Sequence, residues 1–246
     1  MSKSAATASY SIVLSIMAAL FLTTQSGCLF RNSKPAQPAV AQQFQLALLP
    51  FSVPEGNKEL QWTAMAAPIL MMKAAEHWKE LEILPLYETM PATIETAGAS
   101  RILDEESAAT IATWVSAKWS VFGQVAPASG NRVSVIVDFI PAKRNQVAFR
   151  YMKTWRMSTI GLGFREAYSQ FLRYMAVVPS QPRRRGEPSM TAMRELAEAL
   201  DLEYGWSVEA QPGKAQEFVS DLLKTDLRLA KHLFNPVIYP ALAEAK

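Results

Sequence analysis

Three consecutive strands behind a strand–helix–strand opening restrict this chain to a mixed sheet. Trp119 to Val125, Arg132 to Ile140 and Val147 to Trp155 are rich in β-branched and aromatic residues, as strands are. Ser129-Gly130-Asn131 and Ala142-Lys143-Arg144-Asn145 separate them with the composition of hairpin turns. Upstream, Gln45 to Phe51 is a short apolar run suited to a buried strand, and Leu81 to Leu86 reads as another. Trp62, Met65, Ala66, Ile69 and Leu70 recur at helical spacing between those two, so an amphipathic helix is expected to about Lys79. A strand–helix–strand unit of this size implies a parallel pair joined by a crossover.

Residues 89–101 are rich in Thr, Ala and Gly and carry no clear period. Asp104-Glu105-Glu106 then places acid at a helix start, where exposed amides and the helix dipole favour it. That helix runs to about Ala117, with Ala108, Ile111, Ala112 and Val115 on one face. A final helix carries Phe164, Tyr168, Phe171, Leu172 and Met175 as a buried stripe, while Arg165, Glu166, Gln170 and Arg173 face water. The expected order is β-α-β-α-β-β-β-α, an α+β or α/β domain with one mixed sheet over residues 44–178. Its elements account for one closed core, so it is expected to fold without the segment that follows.

The ends carry different signals. Lys3 is the only charge before Arg31, and the apolar core Ile12 to Leu22 has eleven residues. A spanning helix needs about 20 apolar residues and an export-signal core about 7–15, so length favours an export signal. Ser26-Gly27 stands directly before Cys28, the chain's only cysteine. This junction resembles the lipobox of bacterial lipoproteins, although Gln25 stands where that pattern has Leu. The resemblance implies a leader over 1–27, cleavage before Cys28 and acylation of its thiol. Leu29 follows rather than Asp, which by the same resemblance favours the outer membrane, facing the periplasm. An uncleaved anchor in the inner membrane is the alternative, since residues 4–30 are uncharged throughout. Residues 28–43 read as the acylated end and a polar, Pro-containing tether.

At the other end, residues 179–188 hold three prolines, a glycine and Arg183-Arg184-Arg185, the profile of a linker. Residues 189–246 then read as helical. Met193, Leu196, Ala197 and Leu200 define one helix; Ala215, Phe218, Val219 and Leu222 define a second, with Pro212-Gly213 between them. This helical hairpin resembles a single tetratricopeptide unit without a second copy, and an array needs about three to support itself. Leu222, Leu223, Leu229, Leu233, Phe234 and Tyr239 exceed one inward stripe. The tail is therefore expected to be the surface that meets a partner, with docking of some of these residues on the α/β domain as the alternative.

Leu48-Leu49-Pro50-Phe51, Val121-Phe122-Gly123-Gln124-Val125 and the hairpin from Arg132 through Trp155 resemble the amino-terminal domain of TolB. The same domain type occurs in the lipoprotein FlgO and the curli protein CsgG. The resemblance covers about residues 44–178 and implies the fold rather than an activity. Nothing in the chain matches a β-propeller, and Lys143, Arg144, Arg150 and Lys153 crowd the one long hairpin that a pore would need.

Candidate chemistry is sparse. The chain has two His and one Cys, too few for a zinc site or a disulfide framework of its own. A net charge of +3 argues against a dedicated nucleic-acid binder. Gly161-Leu162-Gly163 lies between a strand and a helix, but Glu166 occupies the place of a third glycine, so a turn is the expected role. His77 and His232 have no nucleophile or second ligand nearby in sequence and read as helix-end or surface histidines. Asp104, Glu105 and Glu106 read as capping residues. The arginine run at 183–185 reads as a solvated connector, with contact to lipid headgroups as its functional alternative. Most of the six Trp are expected in the core.

The expected function is that of a non-enzymatic envelope lipoprotein, held to a membrane through Cys28, that binds other envelope proteins. No cofactor or metal is expected. The alternative is a module that binds a small ligand or peptidoglycan in a cleft between the α/β domain and the tail.

Overall fold

The computed structural model describes residues 43–144, 146–178 and 189–245. The expected leader, Cys28, all but the last residue of the tether, and the whole of the linker lie outside them. The elements are β1 (Phe44–Leu48), α1 (Thr63–Ala75), β2 (Leu81–Ile83), α2 (Leu86–Ala97), α3 (Glu105–Trp114), β3 (Trp119–Ala128), β4 (Arg132–Pro141), β5 (Phe149–Arg156), α4 (Ile160–Tyr174), α5 (Met190–Tyr204), α6 (Gln216–Thr225), α7 (Leu227–Leu233) and α8 (Ala241–Glu244). One five-stranded sheet has the order β2-β1-β3-β4-β5. β1 runs parallel to both β2 and β3, and β3, β4 and β5 form the antiparallel meander read from the turn composition.

Alternation along β1 divides the core into two layers, because successive side chains leave a strand on opposite faces. Leu46 and Leu48 join one hydrophobic cluster, Ala47 and Leu49 the other. The first layer is aromatic: Phe171 of α4 stacks on Phe139 with ring centres 4.2 Å apart, and Phe44 and Trp119 meet Phe171 edge-on. The second is built from small residues. Ala92 of α2 and Ala108, Ala109, Ile111 and Ala112 of α3 lie over Ala47, Leu49 and Ile140. Gly123 in β3 has a steric reason: a Cβ there would sit 1.9 Å from the Ile136 carbonyl oxygen and 2.8 Å from the Phe51 ring.

Asp104 is the N-cap of α3, its carboxylate accepting from the Ser107 amide at 2.8 Å, as the acidic start predicts. Two readings change. The segment without a clear period contains most of helix α2, despite Pro91 and two threonines. The hydroxyls bond back into the helix, Thr93 Oγ1 to the Thr89 carbonyl at 2.7 Å and Thr89 Oγ1 to the Leu86 carbonyl at 3.1 Å. Burial of Leu86, Met90 and Ala92 therefore outweighs poor local propensity. Helix α1 is not amphipathic either: every residue except Lys73 is buried. A helix apolar all round needs cover on all sides.

The tail supplies that cover. Met193, Leu196, Ala197 and Leu200 of α5, with Leu229, Leu233, Phe234 and Tyr239, belong to the same cluster as α1 and the aromatic layer. Leu222 and Leu223 pack against it half-buried. Lys73 forms an ion pair with Asp226, the N-cap of α7. Gln61 Nε2 donates to Ser207 Oγ at 3.0 Å, and the Arg101 guanidinium lies 5.8 Å from the centre of the Trp206 ring. Most of the tail's apolar surplus is thus spent on the α/β domain. Gly205, at φ +70°, ends α5 in the left-handed conformation that favours glycine.

Candidate functional site

Two surfaces stand out, a cleft at one edge of the sheet and a bare face at the other. The cleft, about 850 Å³ in volume, opens between the end of α1, the edge strand β2 and helix α7. Its walls include Glu76, His77, Trp78, Glu82, Arg228 and His232. The two histidines, remote in sequence, therefore share one cavity, which neither helix's local pattern reveals. His232 places Nδ1 2.9 Å from the Arg228 carbonyl, and His77 is buried. Lys73 Nζ lies 3.4 Å from Glu76 Oε1 on the same turn. The Trp78 indole N–H is buried and finds no acceptor among the described residues. A bound polar group would relieve the cost of that unmade bond. No group of three metal-ligating side chains gathers here or elsewhere among the described residues.

The second surface arises because α2 and α3 cover only part of their face of the sheet. Pairing in the meander sets Phe122, Asp138 and Arg150 in one row, Gln124, Ile136 and Met152 in the next, then Ala126, Ser134 and Thr154, and last Ala128, Arg132 and Arg156. Alternation puts all of them on the face opposite the aromatic layer, which Val133, Val135, Val137 and Phe139 enter. Met152 is 68% exposed, and Phe122 and Ile136 are half-buried beside it. At the covered end of this face Arg150 grips Asp138 through two hydrogen bonds, Nε to Oδ1 at 2.6 Å and the terminal amine to Oδ2 at 2.8 Å. The bonds to Asp138, then its charge and that of Glu105, raise the Arg150 pKa. That forked pair braces β4 against β5.

The remaining sequence candidates resolve as structure. Gly161 and Gly163 lie inside the first turns of α4, and a Cβ on Gly163 would stand 2.7 Å from the Trp155 indole nitrogen. Gly163 thus makes room for Trp155, whose N–H donates to Tyr151 Oη at 2.9 Å. Asp104 and Glu106 remain helix-start residues, and Glu105 adds its field to Arg150. Trp78 and Trp206 are buried, Trp62, Trp119 and Trp155 are half-buried, and Trp114 is 54% exposed. Cys28 and the arginines at 183–185 lie outside the described residues.

Among the buried carboxylates, Glu203 joins distant parts of the tail in a way the sequence reading missed. Glu203 accepts from Tyr239 Oη at 2.7 Å and from the Gly213 amide at 2.9 Å, tying α5 to the turn before α6 and to the segment after α7. Burial and then the bond to Glu203 raise the Tyr239 pKa well above the phenol range. No helix among the described residues is long and apolar enough to cross a membrane.

No family model matches the chain. No curated protein matches it by sequence. Among solved structures it is similar to the C-terminal domain of LpoB from Salmonella enterica, at 10% identity and a TM-score of 0.37, over 49% of this chain and 87% of that one. It is also similar to TolB from Acinetobacter baumannii, at 14% identity and a TM-score of 0.37, over 56% of this chain and 30% of that one. PelC from Paraburkholderia phytofirmans, described as a dodecamer, matches at 15% identity and a TM-score of 0.35, over 60% of this chain and 94% of that one. At these values the likeness is one of chain trace and assigns no activity.

Proposed function

We propose that this protein is a non-enzymatic envelope lipoprotein, anchored through acylated Cys28 on the outer membrane and facing the periplasm, that works by binding other envelope proteins. The observation that carries the binding role is the bare half of the sheet, where Met152, Ile136 and Phe122 form an apolar centre on a braced, rigid platform. A rigid surface loses little conformational freedom on association, so more of the contact energy remains as affinity. The anchor rests on the short apolar core and the Ser26-Gly27-Cys28 junction. Two or three acyl chains hold a protein stably, because each buried methylene contributes about 0.8 kcal/mol.

The test combines intact-mass analysis with crosslinking of the detergent-extracted chain. The expected result is a mature protein beginning at Cys28 with a diacylglyceryl adduct and a stoichiometric crosslinked protein. Cys28→Ser should release it from the membrane or leave the leader uncut. An unmodified leader on membrane-bound wild type would establish the uncleaved anchor instead. The cleft favours a second reading, a binder of a small ligand or of peptidoglycan, because it gathers both histidines and the unsatisfied Trp78 N–H. That reading predicts a pure monomer whose thermal midpoint rises with soluble peptidoglycan fragments.

A further inference from the structure

We infer that the bare sheet face recognises an acidic segment of a partner protein, one that sets an apolar side chain on Met152 and Ile136 and a carboxylate between Arg132 and Arg156. This rests on the binding role proposed above and names the partner's chemistry. Arg132 and Arg156 are directly opposite each other across β4 and β5, at the end of the platform beyond the reach of α3. Both are exposed, and no carboxylate among the described residues pairs with either. Like charges at facing ladder positions destabilise a sheet. The other cations of β5 are treated differently: Arg150 is held by Asp138 and Lys153 by Glu166 at 2.9 Å. Two arginines at facing register positions, neither met by a carboxylate among the described residues, offer donors that a carboxylate from outside would satisfy.

The surroundings select the occupant. Between the arginines and the apolar centre runs the row Ala126, Ser134 and Thr154, small and hydroxylic, so no bulky side chain of that row stands between the two. Ile136 and Met152 lie four residues from Arg132 and Arg156 on their own strands. Four residues along a strand span about 13 Å, the reach of about four extended residues of a bound segment. A symmetric contact with a second copy of this chain would bring the same arginines, like charge, into one interface. Nucleic acid or a lipid surface has no use for an apolar centre flanked by so few cations, with the net charge at only +3.

The experiment pans a library of displayed twelve-residue peptides on the full chain in detergent and measures the affinity of the enriched synthetic peptides. The expected peptides carry Asp or Glu about four residues from a large apolar side chain. Arg132→Glu and Arg156→Glu should each weaken them about tenfold and together about a hundredfold, while the Asp→Lys peptide regains affinity on the double variant. Enriched peptides that are neutral or basic, or that bind the double variant as well as wild type, would overturn the inference. So would wild-type binding to phosphatidylglycerol vesicles, or a dimer, that is lost in the double variant. If Met152→Asp abolishes peptide binding and the arginine variants do not, the platform binds protein but the acidic partner is wrong. If peptides are enriched yet both sets of variants bind normally, the platform itself is not the surface.

Discussion

The two faces of the sheet are solved by opposite means. On one, large rings from α4 interlock with β1, β3 and β4, and a second shell of tail helices closes over α1. On the other, two alanine-rich helices lie close over β1 and the adjoining ends of β3 and β4 and then stop, so the rest of the antiparallel meander meets solvent. Alanine permits close approach but supplies little area, and short helices cannot reach across a five-stranded sheet. Apolar mass is therefore concentrated where stability is needed, and what remains on the bare half, Met152 and the paired arginines, is free of that duty. A close-packed interior punishes volume change, whereas an exposed platform tolerates it. Substitution on the two faces should consequently separate stability from binding.

The largest effect should come from the closed face. Phe171→Ala removes the ring at the centre of the aromatic layer and should cost about 3–5 kcal/mol, read from the midpoint of a urea transition. A loss below about 1 kcal/mol would mean that the layer repacks and the contrast between faces is false. Next comes the tail. Tyr239→Phe strips a donor from the buried Glu203 carboxylate and should destabilise by about 1–3 kcal/mol, whereas Tyr174→Phe, an exposed phenol, should not. Truncation after Val178 uncovers α1, so that fragment should bind the dye ANS and unfold without a sharp transition. A cooperative fragment would establish the independent domain over 44–178 expected from the sequence.

Asp104→Ala should cost about 1 kcal/mol through loss of the α3 cap. The sign of its pH dependence follows from Ser107, whose hydroxyl and then amide hold the folded carboxyl below its ordinary value of 3.8. The cap is fully present above that value and is lost as pH falls through the lower folded one. Wild type and variant should therefore converge in stability at strongly acid pH, as denaturation at pH 7 and at about pH 2 would reveal. The smallest stability effect belongs to the bare face: Met152→Ser should change it by less than about 0.5 kcal/mol.

Much of this architecture is legible in residues close together in the chain. The Gly130-Asn131 turn, with both residues at positive φ, announces the β3–β4 hairpin, and the Phe164 to Leu172 stripe announces α4. Asp104 announces its cap. What escapes depends on partners remote in sequence. The helical spacing of α1 looks amphipathic until α5 arrives to bury its second side. Helix α2 is hidden by Pro91 and its threonines, whose costs only packing against the sheet repays. The facing arginines depend on the β4–β5 register, and the longer turn over residues 142–148 does not dictate it by composition. The shared cleft of His77 and His232 needs α7 to fold back against β2, which no periodicity reports.

The bare platform is tested most directly by placing a photo-crosslinking amino acid at position 152 of the full chain in its native cells, with the same residue at Leu202 on α5 as the comparison. Met152 is 68% exposed and Leu202 36%, so both positions reach solvent. The account predicts one discrete, light-dependent protein adduct from position 152 that disappears when Arg132 and Arg156 are both changed to Glu, and no such adduct from position 202. Adducts of equal yield from both positions, or none from 152 while 202 captures a protein, would contradict it.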